Sequence, residues 1–149
     1  MEVRLATPED VDAVAAVFTA SFRTLTFLPM LHTAEEDRAH IARVIARDEV
    51  WVAVDDGRIV GMAALAEQLD AFYVDPDAQG RGAGSALLAK AQERRPGGFS
   101  FWVFQQNEAA RRFYERRGCR AVMLTDGSGN EEKTPDALYE WRPGGEEST

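Results

Sequence analysis

Residues 74–85 read Val-Asp-Pro-Asp-Ala-Gln-Gly-Arg-Gly-Ala-Gly-Ser. An apolar run ends, a short loop follows, and Gly80, Gly82 and Gly84 alternate at the start of a helical pattern. Small residues there let the main chain come close to a bulky anion. The first amides of a helix have no acceptor inside it and lie at the positive end of its dipole. Together these features make a ready site for a phosphate or pyrophosphate. Arg81 can add positive charge, or simply face water. The same glycines also suit a plain turn with close helix–sheet packing, and glycine spacing by itself leaves both readings open. Two phosphate loops are a poor match. There is no Gly-Lys-Ser/Thr, as a Walker loop needs, and the order G-x-G-x-G-S differs from the dinucleotide pattern G-x-G-x-x-G.

The surrounding pattern supplies the elements that must hold this loop. Val3 and Leu5 alternate with polar neighbours as in a short strand. Thr7, Pro8, Glu9 and Asp10 read as a helix start, followed at helical spacing by Val11, Val14, Ala15, Phe18 and Phe22. Thr33 and Glu36 form a capping box for a second helix with Ile41, Val44 and Ile45 inward. Two β-rich runs, 51–54 and 59–65, flank Asp55-Asp56-Gly57 and predict a hairpin. A strand over 70–74 and a helix over 82–94, with Ala83, Leu87, Leu88 and Ala91 inward, bracket the glycine loop. Further on come a strand (99–104), a helix (107–117) closed by Gly118, a strand (119–124), a polar loop (126–136) and a last strand (137–141). The predicted order is β-α-α-β-β-β-α-β-α-β-β, an α/β fold with a mixed sheet and helices on its faces. No linker divides residues 1–143, which read as one domain. Residues 144–149 lack apolar side chains and read as a disordered acidic tail.

The 149 residues, 45% hydrophobic and 28% charged, suit one globular domain. A formal charge of −8 argues against binding nucleic acid through phosphates and favours a cationic partner such as an ammonium group. One cysteine, Cys119, and two histidines, His32 and His40, leave no disulfide and no Cys-rich or three-His metal centre. No apolar stretch approaches the ~20 residues of a membrane span, and the amino terminus lacks a basic region followed by an apolar one. The expectation is a cytoplasmic protein without metal, nucleic acid or membrane partners.

Gln79-x-x-Gly82-x-Gly84 resembles the Q/R-x-x-G-x-G/A acetyl-CoA signature of the GNAT superfamily of N-acetyltransferases. Asn107-x-x-Ala110-x-x-Phe113-Tyr114-x-x-x-Gly118 resembles that superfamily's second motif. Both stand in the family's order and on the expected elements, and the resemblance covers about residues 3–141. It implies a mostly antiparallel central sheet, splayed around acetyl-CoA, with helices on both faces. It implies direct transfer of an acetyl group from acetyl-CoA to a primary amine of a small molecule or peptide, and it is compatible with a homodimer.

The resemblance also implies roles for particular residues. Phe72, Tyr73 and Val74 would line the cofactor, with main-chain groups of Phe72 and Val74 pairing with the pantetheine arm. Amides of Gln79, Gly80, Arg81, Gly82, Ala83, Gly84 and Ser85 would hold the pyrophosphate. Asn107 would contact the cofactor near the pantetheine, with Ala110 and Phe113 on the same helix. Tyr114 would protonate the leaving thiolate, and the Val74 amide would receive the developing oxyanion. Apart from the resemblance, the attacking ammonium must lose a proton, and Glu67, read at the end of the strand before Asp70, is a candidate base, directly or through water, with Asp70 a lesser competitor. His32 lies where the family often walls the acceptor site. Each has a plainer reading. Tyr114 continues an apolar stripe, Asn107 caps a helix, and Glu67 and His32 are solvated. Cys119 reads as a small buried hydrophobe rather than an acetyl carrier. The rival from another class is a non-catalytic acyl-CoA binding or sensing domain.

Overall fold

The computed structural model describes residues 1–144. The predicted tail therefore lies, beyond Gly144, outside the described residues. These fall into two compact units, one of residues 1–26 and 30–94, the other of 27–29 and the chain from Arg95 onward. Each is built around its own antiparallel sheet.

The first unit carries β1 (Glu2–Leu5), α1 (Val11–Phe22), α2 (Ala34–Arg47), β2 (Glu49–Asp55), β3 (Arg58–Leu65), β4 (Leu69–Val74) and α3 (Ala83–Arg94). Its strands pair in the order β1-β2-β3-β4, every ladder antiparallel. Thr7 and Asp10 cap a 3-10 turn that leads into α1. Thr33 Oγ1 accepts from Glu36 N at 3.2 Å while Glu36 Oε1 accepts from Thr33 N at 2.8 Å, the capping box the sequence predicted. The Asp-Gly turn takes φ of 53° at Asp56 and 78° at Gly57, as a two-residue hairpin requires. One face of the sheet presents Val50, Val52, Met62 and Ala64 to Val14 and Ala15 of α1 and to Ile41 and Val44 of α2. The other face receives α3, whose buried Leu87 reaches Gly61 so closely that a Cβ there would lie 2.9 Å from Leu87 Cδ1. Strand alternation thus serves two helical layers from one sheet.

The second unit carries β5 (Phe99–Phe104), α4 (Glu108–Glu115), β6 (Arg120–Leu124) and β7 (Asp136–Trp141), with β7 central in the order β5-β7-β6. Phe99, Phe101, Val103, Ala137 and Tyr139 point to one buried face. β6 is exposed along its whole length, and its register with β7 shifts between Ala121 and Met123. The loop after β6 is tied internally: Asn130 Nδ2 donates to Thr134 O at 2.7 Å and to Asp136 Oδ2 at 3.1 Å.

Two corrections concern element ends. The helix expected over 107–117 is the shorter α4, with Asn107 as its cap, and the strand expected from Cys119 begins at Arg120. Cys119 is buried, as the sequence suggested, and burial pushes its thiol up from 9.0 to about 11, against an opposing pull from Arg117. The thiolate is the reactive form, so a disulfide reagent at neutral pH is expected to label the native protein far more slowly than the unfolded chain. The linkage sign follows from a raised folded value: the unfolded chain loses this proton first, so stability falls as pH rises from about 9 toward 11. Labelling of native protein at the unfolded rate would show that Cys119 is accessible.

Candidate active site

The glycine loop of the first unit is a built structure. β4 ends at Val74, and the Asp75 carboxylate accepts from Asp77 N at 2.9 Å, closing a 3-10 turn over Pro76–Ala78. Arg58 pairs with Asp75 at 3.2 Å, and buried Ala78 anchors the turn to the core. The chain then runs extended through Gln79 and takes φ of 83° at Gly80 and 91° at Gly82, a region that side chains with a Cβ rarely enter. A Cβ at either glycine would meet nothing within 4 Å, so the backbone and not crowding demands glycine, and open space lies over the loop. Inside α3 the Ala86 amide bonds the Gly82 carbonyl at 3.0 Å. The amides of Ala83 and Gly84 come before that first ladder bond, at the positive end of the helix. Arg81, exposed, pairs with Asp55 at 3.5 Å, a partner the sequence did not reveal.

β4 is the outer strand of its sheet. The Asp75 amide donates to Val60 O at 2.8 Å, and the register pairs Gly61 with Val74, Met62 with Tyr73 and Ala63 with Phe72. Hydrogen-bonded and non-bonded pairs alternate in an antiparallel ladder. The main-chain groups of Tyr73 therefore turn toward β3, and those of Phe72 and Val74 turn the other way. The Tyr73 carbonyl bears this out, lying 3.2 Å from the Cβ position of Gly61 on β3. The Tyr73 ring packs edge-on against Phe18 of α1 at 5.0 Å, so its side chain belongs to the core.

Glu67 does not sit on a strand end. β3 stops at Leu65, its register with β4 shifts there, and Glu67 is exposed in the bend that follows. Asp70, on β4, has its carboxyl pushed up, first by loss of solvent and then by Asp48, while Arg47 pulls it down. His32 is exposed in the irregular segment before the Thr33 cap.

In the second unit Asn107 caps α4, its Oδ1 accepting from Ala110 N at 3.2 Å. Phe113 is half-buried, its ring covered by the Arg117 guanidinium at 3.8 Å. Tyr114 is the buried residue of α4, with its ring 4.5 Å from Phe101 and 5.3 Å from Phe113. Beneath it, fully buried Tyr139 donates its hydroxyl to Glu115 Oε2 at 2.5 Å and accepts from Arg111 Nε at 3.0 Å. Sequence spacing did not single out these three residues, because β7 and α4 meet only through the fold. Among the described residues no cluster of three or more His, Cys, Asp or Glu is arranged to hold a metal ion. Among them, too, no helix is long and apolar enough to cross a membrane.

Comparison with known proteins bears on the family and the fold. Residues 46–119 match the acetyltransferase (GNAT) domain family. The chain is 31% identical over 125 residues to the peptidyl-lysine N-acetyltransferase YjaB of Salmonella typhimurium, covering 82% of this chain and 85% of that protein. It is 35% identical over 80 residues to the peptidyl-lysine N-acetyltransferase YiaC of Escherichia coli. There the match spans 52% of this chain and only about half of the relative, 54% of its length. Among solved structures, PaiA N-acetyltransferase of Thermoplasma acidophilum in complex with coenzyme A superposes with a TM-score of 0.71 at 19% identity. The superposition covers 95% of this chain and 98% of that one, a likeness of fold. The chain belongs to the GNAT superfamily, and it is an acetyltransferase.

Proposed function

We propose that the protein acetylates the side-chain amine of peptidyl-lysine, with acetyl-CoA as donor and by direct attack of the amine. One observation carries the donor half: an outer strand with main-chain groups of Phe72 and Val74 turned outward runs directly into a positive-φ glycine loop and the mouth of α3. An extended amide-bearing arm can pair with such a strand, and a pyrophosphate suits a helix amino terminus. The residues present therefore fit acetyl-CoA. Phe72 and Val74 would hold the arm, and the amides from Gln79 to Ser85 would hold the pyrophosphate. Asn107, Ala110 and Phe113 stand as further contacts on the strength of the family motif.

Bound acetyl-CoA supplies an activated thioester carbonyl. The Val74 N–H is the donor for negative charge that builds on its oxygen. Tyr114 gives a proton to the leaving sulfur. The amine must lose a proton before it attacks. Glu67 is the base we assign to that step, with Asp70, on β4, as its lesser competitor. The peptidyl-lysine acceptor is supported by the two relatives that act on it and by the acidic balance of the chain. We place the reaction in the cytoplasm, where lysine-bearing proteins and acetyl-CoA meet.

The test is calorimetric titration with acetyl-CoA, 3′-dephospho-CoA and pantetheine, followed by mass spectrometry of lysine peptides incubated with donor and enzyme. Binding that weakens sharply for pantetheine, together with a mass gain of one acetyl group on lysine, is the expected result. Tight binding without transfer to any amine would favour the acyl-CoA sensing domain instead, and absence of binding would remove the donor assignment.

A further inference from the structure

We propose that Tyr139 is a positioning residue for Tyr114, acting through a hydrogen-bonded clamp that fixes the rotation of α4. The inference rests on Tyr114 as the proton donor. α4 has only eight residues, too few to be stable on its own, and Tyr114 is its buried residue. Its ends are held. Asn107 caps the start, and the Cys119 amide bonds the Tyr114 carbonyl at 3.0 Å beyond the last turn. Neither tie fixes the rotation of the helix about its axis.

The clamp does. Arg111 and Glu115 are four residues apart and share one face of α4. The Tyr139 hydroxyl reaches both from the central strand β7, donating to Glu115 at 2.5 Å and accepting from Arg111 at 3.0 Å. Arg111 also donates to the Gln105 carbonyl at 3.3 Å, at the end of β5. Two residues on one face, held at one atom, set the helix's rotation and its height over the sheet. Glu115 adjoins Tyr114 in sequence, so a turn of the helix at Glu115 moves the Tyr114 ring. That ring shares Phe101 as a neighbour with Tyr139, at 4.5 Å and 5.9 Å respectively. Burial and the Glu115 bond hold the Tyr139 phenol in its protonated form, against the pull of Arg111, so the donor half of the clamp persists through neutral pH.

A fully buried tyrosine whose ring packs as phenylalanine would is present for its hydroxyl. Without that hydroxyl, Arg111 and Glu115 can pair with each other along the helix. Tyr139→Phe should therefore fold, and should lose the tie between α4 and β7. Misplacement by a fraction of an ångström is costly for a reacting group. The expected result for Tyr139→Phe is a fall in kcat of about tenfold, with KM for acetyl-CoA unchanged. Glu115→Gln, which keeps an oxygen acceptor, should stay near wild type. Glu115→Ala should fall as Tyr139→Phe does.

The deciding experiment is a double-mutant cycle on kcat with Tyr114→Phe. If Tyr139 works through Tyr114, Tyr139→Phe adds no further loss in the Tyr114→Phe background. Additive losses, or a Tyr139→Phe enzyme with lower Tm but wild-type kcat, would overturn the clamp and leave Tyr114 as the acid. Unchanged kcat in Tyr114→Phe alone would remove the acid assignment, and the clamp's purpose with it. Should Tyr139→Phe fail to fold, the same cycle run with Glu115→Ala carries the test.

Discussion

Tyr114→Phe is expected to lower kcat about 100-fold while KM for acetyl-CoA stays within about twofold, the signature of a group needed in the transition state and not for binding. A phenol with an ordinary pKa near 10 is a proton donor throughout the physiological range, and it is well matched to a thiolate forming beside it. The substitution removes one oxygen and keeps the ring between Phe101 and Phe113, so the hydrophobic face of α4 is preserved. The variant should therefore still fold, and a melting curve taken beside kcat separates chemistry from folding. An unchanged kcat would leave Tyr114 as a packed helix residue and send the search for the acid elsewhere.

The elements of this fold were legible because their signals are local. Thr33 and Glu36 announce α2 three residues apart, and both hydrogen bonds of the box are present. Asp56-Gly57 announces the hairpin, and both residues take positive φ. The glycine loop was legible for the same reason, since Gly80 and Gly82 advertise a backbone that only glycine adopts readily. Membership of an acetyltransferase superfamily followed from two motifs in order. What the sequence did not show depends on partners distant along the chain. The strands divide into a four-stranded and a three-stranded antiparallel sheet, and that division is a matter of long-range pairing. Arg81 finds Asp55, twenty-six positions earlier, and Tyr139 finds Glu115, twenty-four earlier. Periodicity describes which face a residue occupies, not which side chain crosses to meet it.

The second large effect is expected at the glycine loop. Gly82→Val places a β-branched side chain at φ 91°, where it costs of the order of 1–3 kcal/mol, so the loop relaxes toward negative φ and turns its amides away. A Cβ at this position meets nothing within 4 Å, so the unit should still fold, with the damage confined to the loop. Losing one or two charge-assisted hydrogen bonds to a pyrophosphate should raise KM for acetyl-CoA about 10- to 100-fold, with kcat at saturation largely retained. S-acetyl-pantetheine, a donor without the pyrophosphate, distinguishes a lost anion site from a collapsed strand end. Wild type and Gly82→Val should use this truncated donor with nearly equal kcat/KM, because the main-chain groups of Phe72 and Val74 lie upstream of the altered residue. If Gly82→Val lost as much with S-acetyl-pantetheine as with acetyl-CoA, the loop would be serving the strand and not the phosphates. The turn-and-packing reading of the glycines would then be the correct one.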